Sequence, residues 1–214
     1  TMNPDSLPLL LLCSQLGLDP EKHRDYSDNS VKPLTLREWN PLVRKMQAAS
    51  LRPSDLPRLS DSDLRSKLDL DPDLLTRISY LLSRDIQQDL NHLASLGILP
   101  LTRADADYPE KYRQRLKDSA PTVLFYAGEK ALLGQPGIAV VGSRHLDEAG
   151  QECARFVGNA CGMSGQVLYS GGAKGVDTIS AESALEARGT AVGVLADSLE
   201  RQVKGQKEAL KRGD

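Results

Sequence analysis

The sequence predicts an α/β fold in which a small all-helical domain precedes a parallel sheet laced with helices. Three observations predict it. Residues 1–96 read as helical, with leucines recurring at helical spacing. From Ile138 onward, short apolar runs alternate with helical stretches. Two of those runs empty into small residues that carry one cation. The expected organisation is a helical domain over 1–96, a connector with short strands over 97–135, and an incomplete sheet domain over 136–214.

The helical part begins with a candidate helix over 7–16. A second, over 34–46, has Thr35 as N-cap and Glu38 three residues on, the capping-box spacing. Leu56, Leu59, Leu64, Leu68 and Leu70 sit among Ser, Asp and Pro and suggest short helices with tight turns. Pro72 then opens a longer helix, at a position where its missing N–H costs nothing. Leu74, Leu75, Ile78, Leu81, Leu82, Ile86, Leu90 and Leu93 carry that helix to a stop at Gly97. In the connector, residues 98–101 and 122–126 read as strands. Tyr108-Pro109 opens a short helix bearing Lys111, Arg113, Arg115 and Lys117, and residues 134–137 form a turn.

Residues 138–141 and 167–169 read as short buried strands. The helix between them spans about residues 147–163, with Ala149, Cys153, Val157, Ala160 and Cys161 on one face, so both cysteines read as small core residues. A second helix starts near Gly175, turns Val176, Ile179, Ser183, Ala184 and Ala187 toward the sheet, and ends at Gly189. A third strand (190–195) and a third helix (199–212) follow. Repeated β-α units imply a parallel sheet with right-handed crossovers, the plan of a Rossmann-like domain. Gly213 reads as a helix cap with another strand expected beyond it, so the chain is expected to be part of a longer fold. Thr1 ahead of Met2 is expected to be an expression remnant.

In such sheets ligands sit beyond the carboxyl ends of the strands, and both Gly-rich turns lie there. The first turn is Gly142-Ser143-Arg144 and the second is Ser170-Gly171-Gly172-Ala173-Lys174-Gly175, followed by Val176-Asp177. Backbone N–H groups at a helix N-terminus, small side chains and one positive charge make a phosphate site. Arg144 could bond a phosphate in bidentate fashion or pair with Asp147 or Glu148. Lys174 could supply charge or be a solvated surface lysine. Ser143 could donate to a phosphate, cap the next helix, or do both. Asp177 could cap the second helix or accept from a ligand hydroxyl.

Neither turn matches a G-x-G-x-x-G fingerprint or a Walker motif, which disfavours NAD and ATP. No catalytic constellation stands out, and no cofactor is expected. His23, His92 and His145 are far apart and show no metal-ligand spacing, so no metal is expected either. The net charge of −2 and an aromatic content of 4% mean that any nucleic acid is held by a local cation cluster, not by bulk charge or a stacking platform. Three cysteines without a CxxC pair fit a reducing cytosol, and a cytoplasmic location is expected. Leu9 to Leu12 before Cys13 is too short, and too poor in preceding basic residues, for a lipoprotein signal. No stretch is long enough to span a membrane.

At these residues the chain resembles the DNA-processing protein A family, also called Smf. The resemblance runs from about residue 93 to 189. It is carried by Leu-Gly-Ile (96–98), Asp-Tyr-Pro (107–109), Ala-Pro-Thr-Val-Leu-Phe (120–125), Ala-Val-Val-Gly-Ser-Arg (139–144) and Ser-Gly-Gly-Ala-Lys-Gly-Val-Asp (170–177). It implies a Rossmann-like core preceded by a helical domain of SAM or helix-hairpin kind. It further implies a protein without enzymatic activity that binds single-stranded DNA and helps load a RecA-type recombinase in natural transformation. The full-length protein is then expected to be a homodimer. In the family the two turns hold DNA phosphates, which here places that role on Gly142, Ser143, Arg144, Ser170, Gly171, Gly172, Ala173, Lys174 and Gly175. Two departures stand out. Ala181-Glu182 replaces the family's Ala-His, and residues 196–203 replace a Gly-rich segment followed by Tyr-Pro. The alternative is a nucleotide-binding sensor or nucleotide-processing enzyme of the wider Rossmann-like group. Residues 170–182 lack that group's Pro-Gly-Gly-x-Gly-Thr-x-x-Glu pattern.

Overall fold

A computed structural model of the chain describes residues 2–18, 31–196 and 198–212. Thr1, His23, Asp197 and Gly213 lie outside the described residues. The chain folds as two compact units, Thr1–Ala127 and Gly128–Asp214. The stretch expected as a connector is shared between them.

The first unit is built around α1 (Ser6–Cys13), a helix apolar on nearly every side and buried accordingly. Leu9 and Leu12 join a core with Trp39, Leu42, Met46, Leu56, Leu64, Leu68, Ile78 and Leu81. Leu10 and Leu11 face a second core with Leu16 and Ile86. Each leucine so buried contributes about 1.5–3 kcal/mol. The leucine run before Cys13 is therefore core. Around α1 stand α2 (Leu36–Ala48), a 3-10 turn (Pro53–Arg58), α3 (Asp61–Leu68), α4 (Pro72–Leu82) and α5 (Gln87–Ser95). The Thr35–Glu38 capping box forms at the start of α2.

The long helix expected from Pro72 to Gly97 is two helices instead. Ser83 caps α4, and the Asp85 carboxylate accepts from the Gln87 amide to restart the chain as α5. The break lets the Arg84 guanidinium turn back and donate to the carbonyls of Leu11, Ser14 and Leu16, at the end of α1 and just beyond it. Apolar periodicity continues across the break, so the pattern alone does not reveal it. The unit closes with an antiparallel hairpin of β1 (Ile98–Thr102) and β2 (Val123–Ala127), with α6 (Glu110–Leu116) between them.

The second unit runs β3 (Gly137–Ala139), α7 (Glu148–Met163), β4 (Val167–Ser170), α8 (Val176–Glu186), β5 (Thr190–Gly193) and α9 (Leu199–Arg212). The sheet order is β3-β4-β5, with both pairings parallel. Only β4 is a buried strand. β3 lies at the sheet edge with Gly137, Ile138 and Ala139 exposed, which corrects the expectation of a buried first strand. The face of α7 also differs from expectation. Ala154, Gly158 and Cys161 are buried, whereas Ala149, Cys153 and Ala160 are exposed. The reason is close packing on α8: a Cβ on Gly158 would run into the Ser180 carbonyl, and one on Gly162 would lie 2.7 Å from the Ala184 carbonyl oxygen. Glycines set that seam, and hydrophobic patterning does not register them. Because α7 and α8 pack on each other, both cover the same face of the sheet. Cys161 of α7, Leu168 of β4 and Ala184 of α8 form the buried core between helices and sheet.

Candidate phosphate-binding site

β3 and β4 run parallel, so the turns that follow them emerge on one edge of the sheet. They then touch. The Val176 amide donates to the Ser143 carbonyl oxygen at 3.1 Å, joining the start of α8 to the first turn. A Cβ on Gly142 would lie 2.6 Å from a Val176 methyl. A Cβ on Gly175 would collide with the Ser143 carbonyl, and Gly175 also holds a φ of +86°, a conformation side chains disfavour. Both positions are glycine because the two turns meet there.

Arg144 and Lys174 are exposed. Among the described residues neither makes an ion pair or a hydrogen bond through its side chain. The Asp147 carboxylate, one of the neighbours that could have claimed Arg144, caps α7 through the Gly150 amide at 2.8 Å. The Ser143 hydroxyl donates to the His145 carbonyl at 2.6 Å and accepts from the His145 amide at 3.1 Å. That pins the first turn locally; the α7 cap is Asp147, not Ser143.

The backbone donors divide into two groups. The N–H groups of Gly142, Ser143, Arg144, Lys174 and Gly175 have no acceptor among the described residues. Those of Gly171 and Ala173 are taken by Asp177 Oδ2, at 2.9 and 3.4 Å. The Gly172 amide makes a long contact of 3.4 Å to the buried Ser170 hydroxyl. Gly175 is the N-cap of α8, so Asp177 is not the cap residue; it lies two residues on, in the first turn, and bonds backward to the loop. Buried to 5% exposure, it is turned into the fold. Thr178 completes the bracing, its amide and hydroxyl both bonding the Ala173 carbonyl. Neither Asp177's loop bonds nor Thr178's part was read from the sequence. A signal existed: a tight loop of small residues needs acceptors for its own amides. Glu182, in place of the family's His, is exposed on the side of α8 opposite the buried Ser180, Ser183 and Ala184.

The arrangement offers a rim with one guanidinium, one ammonium and five open amides; the exposed carboxylates nearest Arg144 in sequence, Asp147 and Glu148, belong to the start of α7. It can hold oxyanions of a phosphate chain. Among the described residues there is no cluster of His, Cys, Asp and Glu able to hold a metal ion. Among the described residues no helix is long and apolar enough to cross a membrane.

The model of the family described as DNA recombination-mediator protein A matches residues 100–212, more than half of the chain. Protein Smf of Synechocystis is 34% identical over 104 residues, covering 47% of this chain and 26% of that protein. DNA processing protein DprA of Streptococcus pneumoniae is 38% identical over 82 residues, covering 38% of this chain and 28% of that protein. The X-ray structure of DprA from Streptococcus pneumoniae superposes with a TM-score of 0.57 at 23% identity, covering 82% of this chain and 60% of that one, which shows the shared fold. The aligned stretches thus span about a quarter of the length of these curated relatives. With the chain from within β1 to the end of α9 falling inside the family match, the chain belongs to the DNA recombination-mediator protein A family.

Proposed function

We propose that the chain binds single-stranded DNA through its phosphates at the paired turns, without catalysis, and so assists the loading of a RecA-type recombinase during DNA uptake and recombination. The observation that carries this reading is the convergence of two unpaired cations and five open amides on one edge. Family membership supports a role in recombination, and one relative is the DNA processing protein DprA of Streptococcus pneumoniae. Backbone contacts carry little sequence information, and aromatic residues make up only 4% of the chain, so binding is expected to be nearly sequence-independent. The recombinase contact and the homodimer expected of the full-length protein belong to the same proposal, as does a cytoplasmic setting.

The test is oligonucleotide binding followed across a salt series. Wild type should lose affinity with a log–log slope near −0.7 per phosphate neutralised. Arg144→Ala and Lys174→Ala should each weaken binding to all sequences alike and flatten the slope by about 0.7. Equal retention of oligonucleotide by wild type and Arg144→Ala would remove the site. Tight binding of mononucleotides with none of oligomers would favour a nucleotide sensor instead.

A further inference from the structure

We propose that Asp177 is the positioning residue of the second turn, an acid placed beneath an anion site to shape it rather than to touch the ligand. This rests on the phosphate reading above. A buried carboxylate at an anion site opposes the ligand by simple Coulomb repulsion. Its presence there needs a geometric reason, and the hydrogen bonds supply one. A single oxygen, Asp177 Oδ2, accepts from both Gly171 and Ala173. The Ala173 carbonyl is held from the other side by the Thr178 amide and hydroxyl. The Ser170 carbonyl is held by the Val194 amide at 2.7 Å. The loop is thus fastened at Ser170, Gly171 and Ala173, and the next two residues, Lys174 and Gly175, keep their amides open. Asp177 thereby decides which donors of the turn remain for a ligand: it consumes the first pair and leaves the second.

The sign of the effect separates positioning from charge. Removing a negative charge tightens anion binding if charge is all that matters. Removing a staple weakens it. Asp177→Ala should bind oligonucleotide at least tenfold more weakly than wild type, with the salt slope unchanged because Arg144 and Lys174 remain. Asp177→Asn keeps an oxygen in place and should bind at least as tightly as wild type. Amide hydrogen exchange by NMR reads the staple directly. Gly171 and Ala173 should be protected in wild type and in Asp177→Asn, and should lose protection in Asp177→Ala. Binding by Asp177→Ala equal to or tighter than wild type overturns the proposal, as does free exchange of the Gly171 and Ala173 amides in wild type. Should Asp177→Ala fail to fold, Asp177→Asn decides: binding at least as tight as wild type with the Gly171 and Ala173 amides still protected supports the proposal, and a tenfold loss of binding with those amides still protected overturns it. If wild type binds no oligonucleotide, the function proposed above fails, and the exchange pattern still decides the part played by Asp177.

Discussion

Three thiols in one chain illustrate how much a residue's surroundings decide. Burial pushes the Cys13 thiol up to about 12, with the Glu38 carboxylate adding to the rise and a hydrogen bond with Thr122 opposing it. Cys161 lies on the buried face of α7, and Cys153 is exposed on the same helix. A thiol reagent at pH 8 should therefore modify Cys153 quickly and the other two only on unfolding, as peptide mapping after a short pulse would show. Two carboxylates make the first unit acid-sensitive. Burial alone would raise Glu38 above its usual 4.5, but bonds from Arg77 and Thr35 outweigh burial and hold it lower. Asp5 behaves alike: burial raises it, and bonds from Ser54 and Arg52 bring it below its usual 3.8. A group with a depressed folded pKa contributes stability that is full above its unfolded value and is lost as pH falls through the folded one. Urea midpoints read by Trp39 fluorescence should accordingly hold at pH 6 and drop below about pH 4.5, the unfolded range of the two acids.

Among the elements, the α7–α8 seam is the most tightly specified. Gly158→Ala would drive a methyl into the Ser180 carbonyl, and the backbone on both sides must yield. A loss of about 2 kcal/mol is expected, measured as a shift in the unfolding midpoint of the second unit. The end of α8 shows the same economy. Arg188, at φ +60°, takes the left-handed position after the helix, with the Gly189 amide on the Ala184 carbonyl and the Arg188 amide on the Leu185 carbonyl. Gly189, read from sequence as the stop, is glycine because a Cβ would strike Gly162 of the facing helix. The elements legible in the sequence were those marked by capping chemistry or by an abrupt switch from apolar run to small residues: the Thr35 box, the Pro72 start, and both site turns. The break between α4 and α5 and the buried face of α7 were not legible. One is decided by Arg84 reaching a distant helix, the other by glycines that score as neither polar nor apolar.

In the whole molecule, the two units carry very different cores. The first buries two leucine-rich clusters around α1, while the second buries Cys161, Leu168 and Ala184 beneath partly covered neighbours. Buried apolar area is the main source of stability, so the second unit should unfold at lower denaturant. The single tryptophan, Trp39, lies in the first core and reports only that unit. Urea titration by fluorescence should therefore give a higher midpoint than the first of two transitions seen by far-ultraviolet circular dichroism. Coincident single transitions would contradict this. The placing of both turns on one edge was legible at this scale as well, since it follows from strand order and parallel direction. Which amides stay open was not legible, because that depends on where one buried carboxylate turns. Gly142 against Val176 and Gly175 against Ser143 leave no space for a side chain, and so the rim has almost no room for drift at its seam. Lineages or designers seeking another ligand would have to work through the outward-facing positions, Arg144, His145 and Lys174, while the joint itself stays locked.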